Sequence, residues 1–197
     1  WLIVGGIFSA LEPLAFLAMA LFAVYMYRKG EKSHPNKIAL FWTIGASIVS
    51  FVGAGLLGFA HTLPQTNLYT HGTLVTAMHG HYAFWGAYAM IVLAIISYAL
   101  PNLTGRKRYN NTSGHMAFWL SNVGMLGMTV AFGVAGVAQV YLERKMKLDF
   151  MDVQNEIAIH FVVLLVCATL FTTGITLFII EFIKYGKPTD EALVKEE

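Results

Sequence analysis

The sequence predicts an all-α, polytopic transmembrane bundle, and three observations carry that prediction. Of its 197 residues, 57% are hydrophobic and only 12% are charged, against about 25% charged in soluble domains. Apolar runs long enough to cross a hydrocarbon core of about 30 Å, which takes about 20 helical residues, recur five times along the chain. None of them alternates with the period of two expected of barrel strands, so each run must satisfy its backbone internally as a helix.

The same figures exclude other classes. The formal charge of +2 and the pI near 8.7 come from short clusters between apolar runs, as in membrane loops, so there is no basic face for nucleic acid. A single cysteine, Cys167, rules out an internal disulfide framework. No repeat of about 20–50 residues points to a solenoid or propeller. The chain begins at Trp1 inside an apolar run with no basic segment ahead of it, which is not the layout of a signal peptide; it reads as the carboxyl-terminal piece of a longer protein.

The first run, 2–27, is apolar except for Glu12, which Pro13 follows. Proline removes a backbone donor and tends to kink a helix, which opens room for water. The second, 38–60, carries Gly53, Gly55 and Gly58, and the third, 73–100, carries His79-Gly80-His81. The fourth and fifth, 115–142 and 157–183, lead to a polar tail over 186–197. Connectors fix the orientation. The first holds Arg28, Lys29, Lys32 and Lys37 against Glu31, and the third holds Arg106, Lys107 and Arg108 with no acid, so both belong inside. The second, His61 to Gly72, has no Lys, Arg, Asp or Glu, and the fourth mixes both signs; both fit the outer side. Trp1 is then outside and the tail is cytoplasmic.

Ionisable groups within a bilayer are costly, so each one needs a partner or a task. His115 and Glu181 sit near span ends and read as solvated interface residues, while His160 reads as a hydrogen-bonder to a neighbouring helix. His79 and His81 stand about 200° apart around a 3.6-residue helix, so they leave on nearly opposite faces and do not share one metal. Two readings remain at this point: a helix wedged between two separate cofactors, or a pair of packing histidines. Gly80 between them would let a flat macrocycle approach, although membrane glycines also serve helix packing. Met78 points about 100° from His79 and reads as filler, and Tyr82, Phe84, Trp85 and Tyr88 read as packing. Glu12, with Ser9 one turn earlier, lies at a depth similar to His79, so the two can belong to one site, with Glu12 either a proton carrier or a structural hydrogen-bonder.

The segment Tyr69-Thr-His-Gly-Thr-Leu-Val-Thr-Ala-Met-His-Gly-His-Tyr-Ala-Phe-Trp-Gly-Ala-Tyr-Ala-Met90 strongly resembles the tenth transmembrane helix of the large subunit of cytochrome c-dependent nitric oxide reductases, within the haem-copper oxidase superfamily. Gly6-Ile-Phe-Ser-Ala-Leu-Glu-Pro13 and Gly58-Phe-Ala-His-Thr62 resemble the eighth helix and the end of the ninth. The resemblance is firm through about Leu100; beyond it, it rests on topology and on the Gln154-Asn-Glu-Ile-Ala158 segment.

That resemblance implies a fold in which these are the last five of twelve helices. It implies two haem b groups, with His79 the axial ligand of the high-spin haem, His81 an axial ligand of the low-spin haem, and His71 close to haem propionates. Glu12 would stand near a non-haem iron whose own ligands, three histidines and a glutamate, come from the upstream part of the same subunit. The implied reaction reduces two nitric oxide molecules to nitrous oxide and water, with a c-type cytochrome subunit as electron donor and membrane lipid of the bacterial inner membrane as surroundings. Two other readings compete: a cbb-class cytochrome c oxidase, against which the Glu12-Pro13 pair argues, and a non-catalytic membrane haem b electron carrier, which needs no buried glutamate. A transporter is weaker still, because no inverted pair of broken helices is visible.

Overall fold

The computed structural model describes residues 2–30, 36–105 and 111–184; the expected cytoplasmic tail, 186–197, and the basic cluster Arg106 to Arg108 lie outside them. Five helices are long and apolar enough to cross a membrane: Ile3–Lys29, Lys37–Thr62, Leu74–Leu103, Thr112–Lys145 and Phe150–Lys184. Among the described residues the regular structure is entirely helical, the polytopic all-α fold that composition demands.

The first span breaks where proline predicts. Its helix stops at Ser9 and restarts at Glu12, with Pro13 in the first turn of the new segment, because Pro13 has no N–H to return to Ser9. The connectors are more helical than expected. Pro64 starts a short helix, Pro64–Thr70, inside the second connector, since a proline's fixed φ suits a first helical position. The fourth span runs on to Lys145 and the fifth starts at Phe150, so Glu143, Asp152 and Glu156 sit on helix ends and not in a broad loop. Asp152 occupies a helical first turn, where the dipole favours an acid.

Small residues set the packing. A Cβ on Gly136 would overlap the Val75 backbone, and one on Gly124 would overlap the Phe171 backbone, so the fourth span lies close against both the third and the fifth. Trp42, fully buried, meets Trp85, Phe118 and Phe178 edge-on at 6.0, 5.1 and 5.9 Å, which ties four spans into one core.

This packing corrects three expectations. Glu181 is not a solvated interface residue: it is 6% exposed and its Oε2 has no hydrogen-bond partner. It lies two turns beyond Gly174, whose face presses on Ser121 and Ala117, and therefore faces the same neighbour. His115 likewise packs its ring on Phe41 at 4.7 Å with Nε2 buried and unpartnered. His160 bonds the Ile157 carbonyl of its own helix at 3.2 Å, not a neighbouring helix.

The third span is pinned at three depths. At one end the Leu74 N–H donates to Gln139 Oε1 at 2.9 Å; midway the Trp85 indole donates to Asn122 Oδ1 at 3.1 Å; at the other end the Asn36 amide donates to the Ser97 carbonyl at 2.7 Å. The helix that carries the two histidines is thus held by both the second and the fourth spans.

Candidate functional site

Thr73 caps the third span by accepting from the Val75 N–H at 3.3 Å, and the helix Leu74–Phe84 presents His79 and His81 to different neighbours. His79 faces the second span. Its Nδ1–H donates to the Gly53 carbonyl at 3.0 Å, inside the π-helical segment Phe51–Leu57. Such wider winding shifts the backbone ladder and is frequent at functional sites. With Nδ1 engaged, Nε2 is the nitrogen left to bind a metal, and the carbonyl fixes tautomer and ring orientation as outer-shell acceptors do for ligating histidines.

Glu12 joins His79 across Gly58. A Cβ on Gly58 would lie 3.3 Å from His79 Cε1 and 3.7 Å from Glu12 Oε2, so the glycine leaves the gap through which the two approach. The kink before Glu12 and the contact of Pro13 with Gly55, 3.1 Å from a Cβ placed there, bring the first span to this point. Glu12 and His79 thus share one locality, as their depths suggested, while Glu12 lies exposed on the bundle surface instead of buried within it.

His61 completes the group and was not among the candidates read from the sequence. Its ring stacks on His79 at 5.0 Å and 24°. Its Nδ1–H donates to Leu57 O at 2.9 Å, and its Nε2 is buried without a partner. The signal that could have found it is a histidine three residues after Gly58 in an apolar span that already carries Gly53 and Gly55.

His81 leaves on the other side. Its Nδ1–H donates to the Ala77 carbonyl at 2.8 Å, and its ring lies 5.0 Å from Phe132 of the fourth span. A Cβ on Gly80 would meet nothing within 4 Å. Beside it opens an apolar groove of about 860 Å³, walled by Phe84, Tyr88 and Val92 of the same helix and by Phe171 and Ile175 of the fifth span. An imidazole with one free nitrogen beside an apolar groove fits a macrocycle's axial ligand. Met78 instead packs on Gly133, where a Cβ would be 2.7 Å from its sulfur, as filler should.

His71 sits exposed after the helix Pro64–Thr70, its N–H bonded to Asn67 O at 3.0 Å, and takes part in neither group. Among the described residues no set of three or more His, Cys, Asp or Glu side chains is placed to hold a metal ion.

Comparison with known proteins gives the family. Residues 1–170 match the family described as cytochrome c and quinol oxidase polypeptide I. The chain is 42% identical to a nitric oxide reductase subunit of Stutzerimonas stutzeri, a match that covers 95% of this chain and 41% of that protein. The chain thus spans about two fifths of the length of its curated relative. With residues 1–170 matched to the family model and 42% identity over 95% of its length to that relative, the chain belongs to the cytochrome c and quinol oxidase polypeptide I family of membrane oxidoreductases.

Proposed function

We propose that this chain forms the haem-facing part of the catalytic subunit of a respiratory nitric oxide reductase in the bacterial cytoplasmic membrane. The reaction converts two nitric oxide, two electrons and two protons into nitrous oxide and water. When bound, two haem b groups and a non-haem iron completed by upstream residues supply the redox chemistry. His79 Nε2 holds the high-spin haem and His81 Nε2 the low-spin haem, each imidazole aimed by a backbone carbonyl, that of Gly53 or Ala77. Glu12 carries protons beside the high-spin site, and His71 hydrogen-bonds to a haem propionate. The apolar groove next to His81 keeps water from that haem.

The observation that supports this reading best is the opposite placement of His79 and His81, with Glu12 gathered on the His79 side alone. Single changes His79→Ala and His81→Ala in the intact complex test it by optical and EPR spectra. The first should remove the high-spin signal and keep the low-spin one, and the second the reverse. Loss of both signals together from a folded protein, in either variant, would refute the separate assignments. Electrons should come from a c-type cytochrome subunit on the outer face, near the helix ends that carry Glu143, Asp152 and Glu156. Such a subunit should co-purify in mild detergent; a complex that turns over with quinol and contains none would exclude that donor.

A further inference from the structure

His79 and His81 share one supporting arrangement on opposite faces of the third span. Each imidazole meets a backbone carbonyl at Nδ1, that of Gly53 at 3.0 Å for His79 and that of Ala77 at 2.8 Å for His81. Each also has a second ring laid close to parallel against it from a neighbouring span. His61 lies on His79 with centroids 5.0 Å apart and planes 24° apart, and Phe132 lies on His81 at 5.0 Å and 31°. Both separations fall within the ~4.5–7 Å at which aromatic rings attract. One supporting ring is an imidazole and the other a phenyl, so what the two have in common is a flat face and not a titratable group.

A carbonyl and a ring face restrict different motions. Histidine χ2 turns about an sp³–sp² bond and is broad, and a hydrogen bond weakens steeply only below ~120°. The carbonyl therefore fixes which nitrogen carries the proton and leaves the ring plane free to rock. A flat neighbour opposes that rocking, because any tilt closes the contact along one edge and opens it along the other. The supporting rings are themselves held. His61 donates Nδ1–H to the Leu57 carbonyl at 2.9 Å, and Phe132 stands on the stretch of the fourth span where Gly133 and Gly136 press on Met78 and Val75 of the third.

We infer that His61 and Phe132 are positioning residues that set the ring planes of His79 and His81, and with them the strength and symmetry of the iron–nitrogen bond each histidine makes. The inference rests on the reading of His79 and His81 as ligands of the high-spin and the low-spin haem. A ligating imidazole meets the iron through π orbitals perpendicular to its own ring, so its plane governs the electronic signature of the haem it binds. The supporting ring acts through its flatness.

Spectra of the intact complex carrying single substitutions test this without a turnover assay. Resonance Raman reads the iron–imidazole stretch of the reduced high-spin haem, and EPR reads the g values of the oxidised low-spin haem. His61→Leu removes the flat face, so the iron–imidazole band should broaden and move to lower frequency while the low-spin g values stay in place. Phe132→Leu should shift the g values and leave the band unmoved. His61→Phe gives His79 the kind of support that His81 already has and should keep the parent band. A parent-like band in His61→Leu, a band displaced as far in His61→Phe as in His61→Leu, or both spectra altered together by either leucine variant would each overturn the inference. Should His61→Leu lose the high-spin haem altogether, retention of that haem by His61→Phe would uphold the inference, and its loss there too would overturn it. His79→Ala separates the underlying assignment from this role. A band that persists in His79→Ala shows that His79 is not the ligand and removes both, whereas a band lost there but unmoved in His61→Leu overturns the positioning role alone.

Discussion

The imidazoles of His61 and His79 stack 5.0 Å apart at 24°, one from the second span and one from the third. Each donates Nδ1–H to a carbonyl of the segment Phe51–Leu57, His79 to Gly53 and His61 to Leu57. Two rings from different helices are therefore aimed by one π-helical segment. The orientation of His79 is a property of the second span as much as of its own.

Gly58 is the position where this arrangement is most easily disturbed. A Cβ there would already crowd His79 Cε1 at 3.3 Å and touch Glu12 Oε2 at 3.7 Å, and the His79 ring, held by Gly53 and stacked on His61, cannot retreat without loss of those contacts. Gly58→Leu is expected to lower high-spin haem content severalfold while low-spin haem stays near normal, because His81 lies on the other face. Haem extraction with optical spectra checks this, and equal loss of both haems would show a general folding defect instead.

The anchor at Gln139 predicts a smaller, structural effect. Its side-chain carbonyl accepts the Leu74 N–H, one of the donors that a helix start leaves open, and its amide donates to Glu143 at 2.8 Å. Gln139→Leu leaves that donor without its partner, at a cost of about 1–2 kcal/mol. The thermal unfolding midpoint in detergent should fall, with both haem spectra retained; an unchanged midpoint would mean that the contact contributes nothing.

Much of this molecule is legible in its sequence because lipid leaves few alternatives. Five apolar runs must be five helices, Pro13 must interrupt the first, and residues two apart on a helix must diverge. The parts that could not be read arise where backbone geometry departs from the regular helix. Nothing in Phe51–Leu57 announces wider winding, so the Gly53 carbonyl that orients His79 is invisible in the sequence, and His61 shows there only as a histidine three residues after Gly58, with no sign of its stacking on His79. Burial of Glu181 escaped for a different reason. Closeness to a span end suggested solvent, whereas the glycine contacts of the fourth and fifth spans turn that face inward.

Glu181 gives a test of that burial. A carboxyl 6% exposed with an unpartnered oxygen loses hydration without full compensation, which costs about 1–3 kcal/mol. Glu181→Met keeps much of the volume and removes the polar group. The unfolding midpoint is expected to rise by a few degrees, with turnover unchanged. A fall would show that the carboxyl stabilises the contact between the fourth and fifth spans.

Glu12 is the residue for which structural and chemical roles separate most cleanly. It sits at the start of the helix that resumes after the kink, on the bundle surface and beside His79 across Gly58. With the first span entering from the outer face, as the connector charges imply, a carboxylate in its outer half is costly to keep, and the Ser9 carbonyl, which Pro13 has no N–H to meet, is a polar group along which water can reach it from that side. Protons for the reaction should therefore enter from that side; in the inner halves of the described spans the one carboxylate is Glu181, enclosed far from His79. Glu12→Gln preserves shape and hydrogen-bonding capacity and removes only the ability to exchange a proton. The full haem complement should remain, and nitric oxide turnover should fall by about two orders of magnitude, the range typical of a lost acid–base group. Normal turnover in the Gln variant across the pH range would reduce Glu12 to a structural hydrogen-bonder. Loss of high-spin haem in the same variant would instead make it a support for His79.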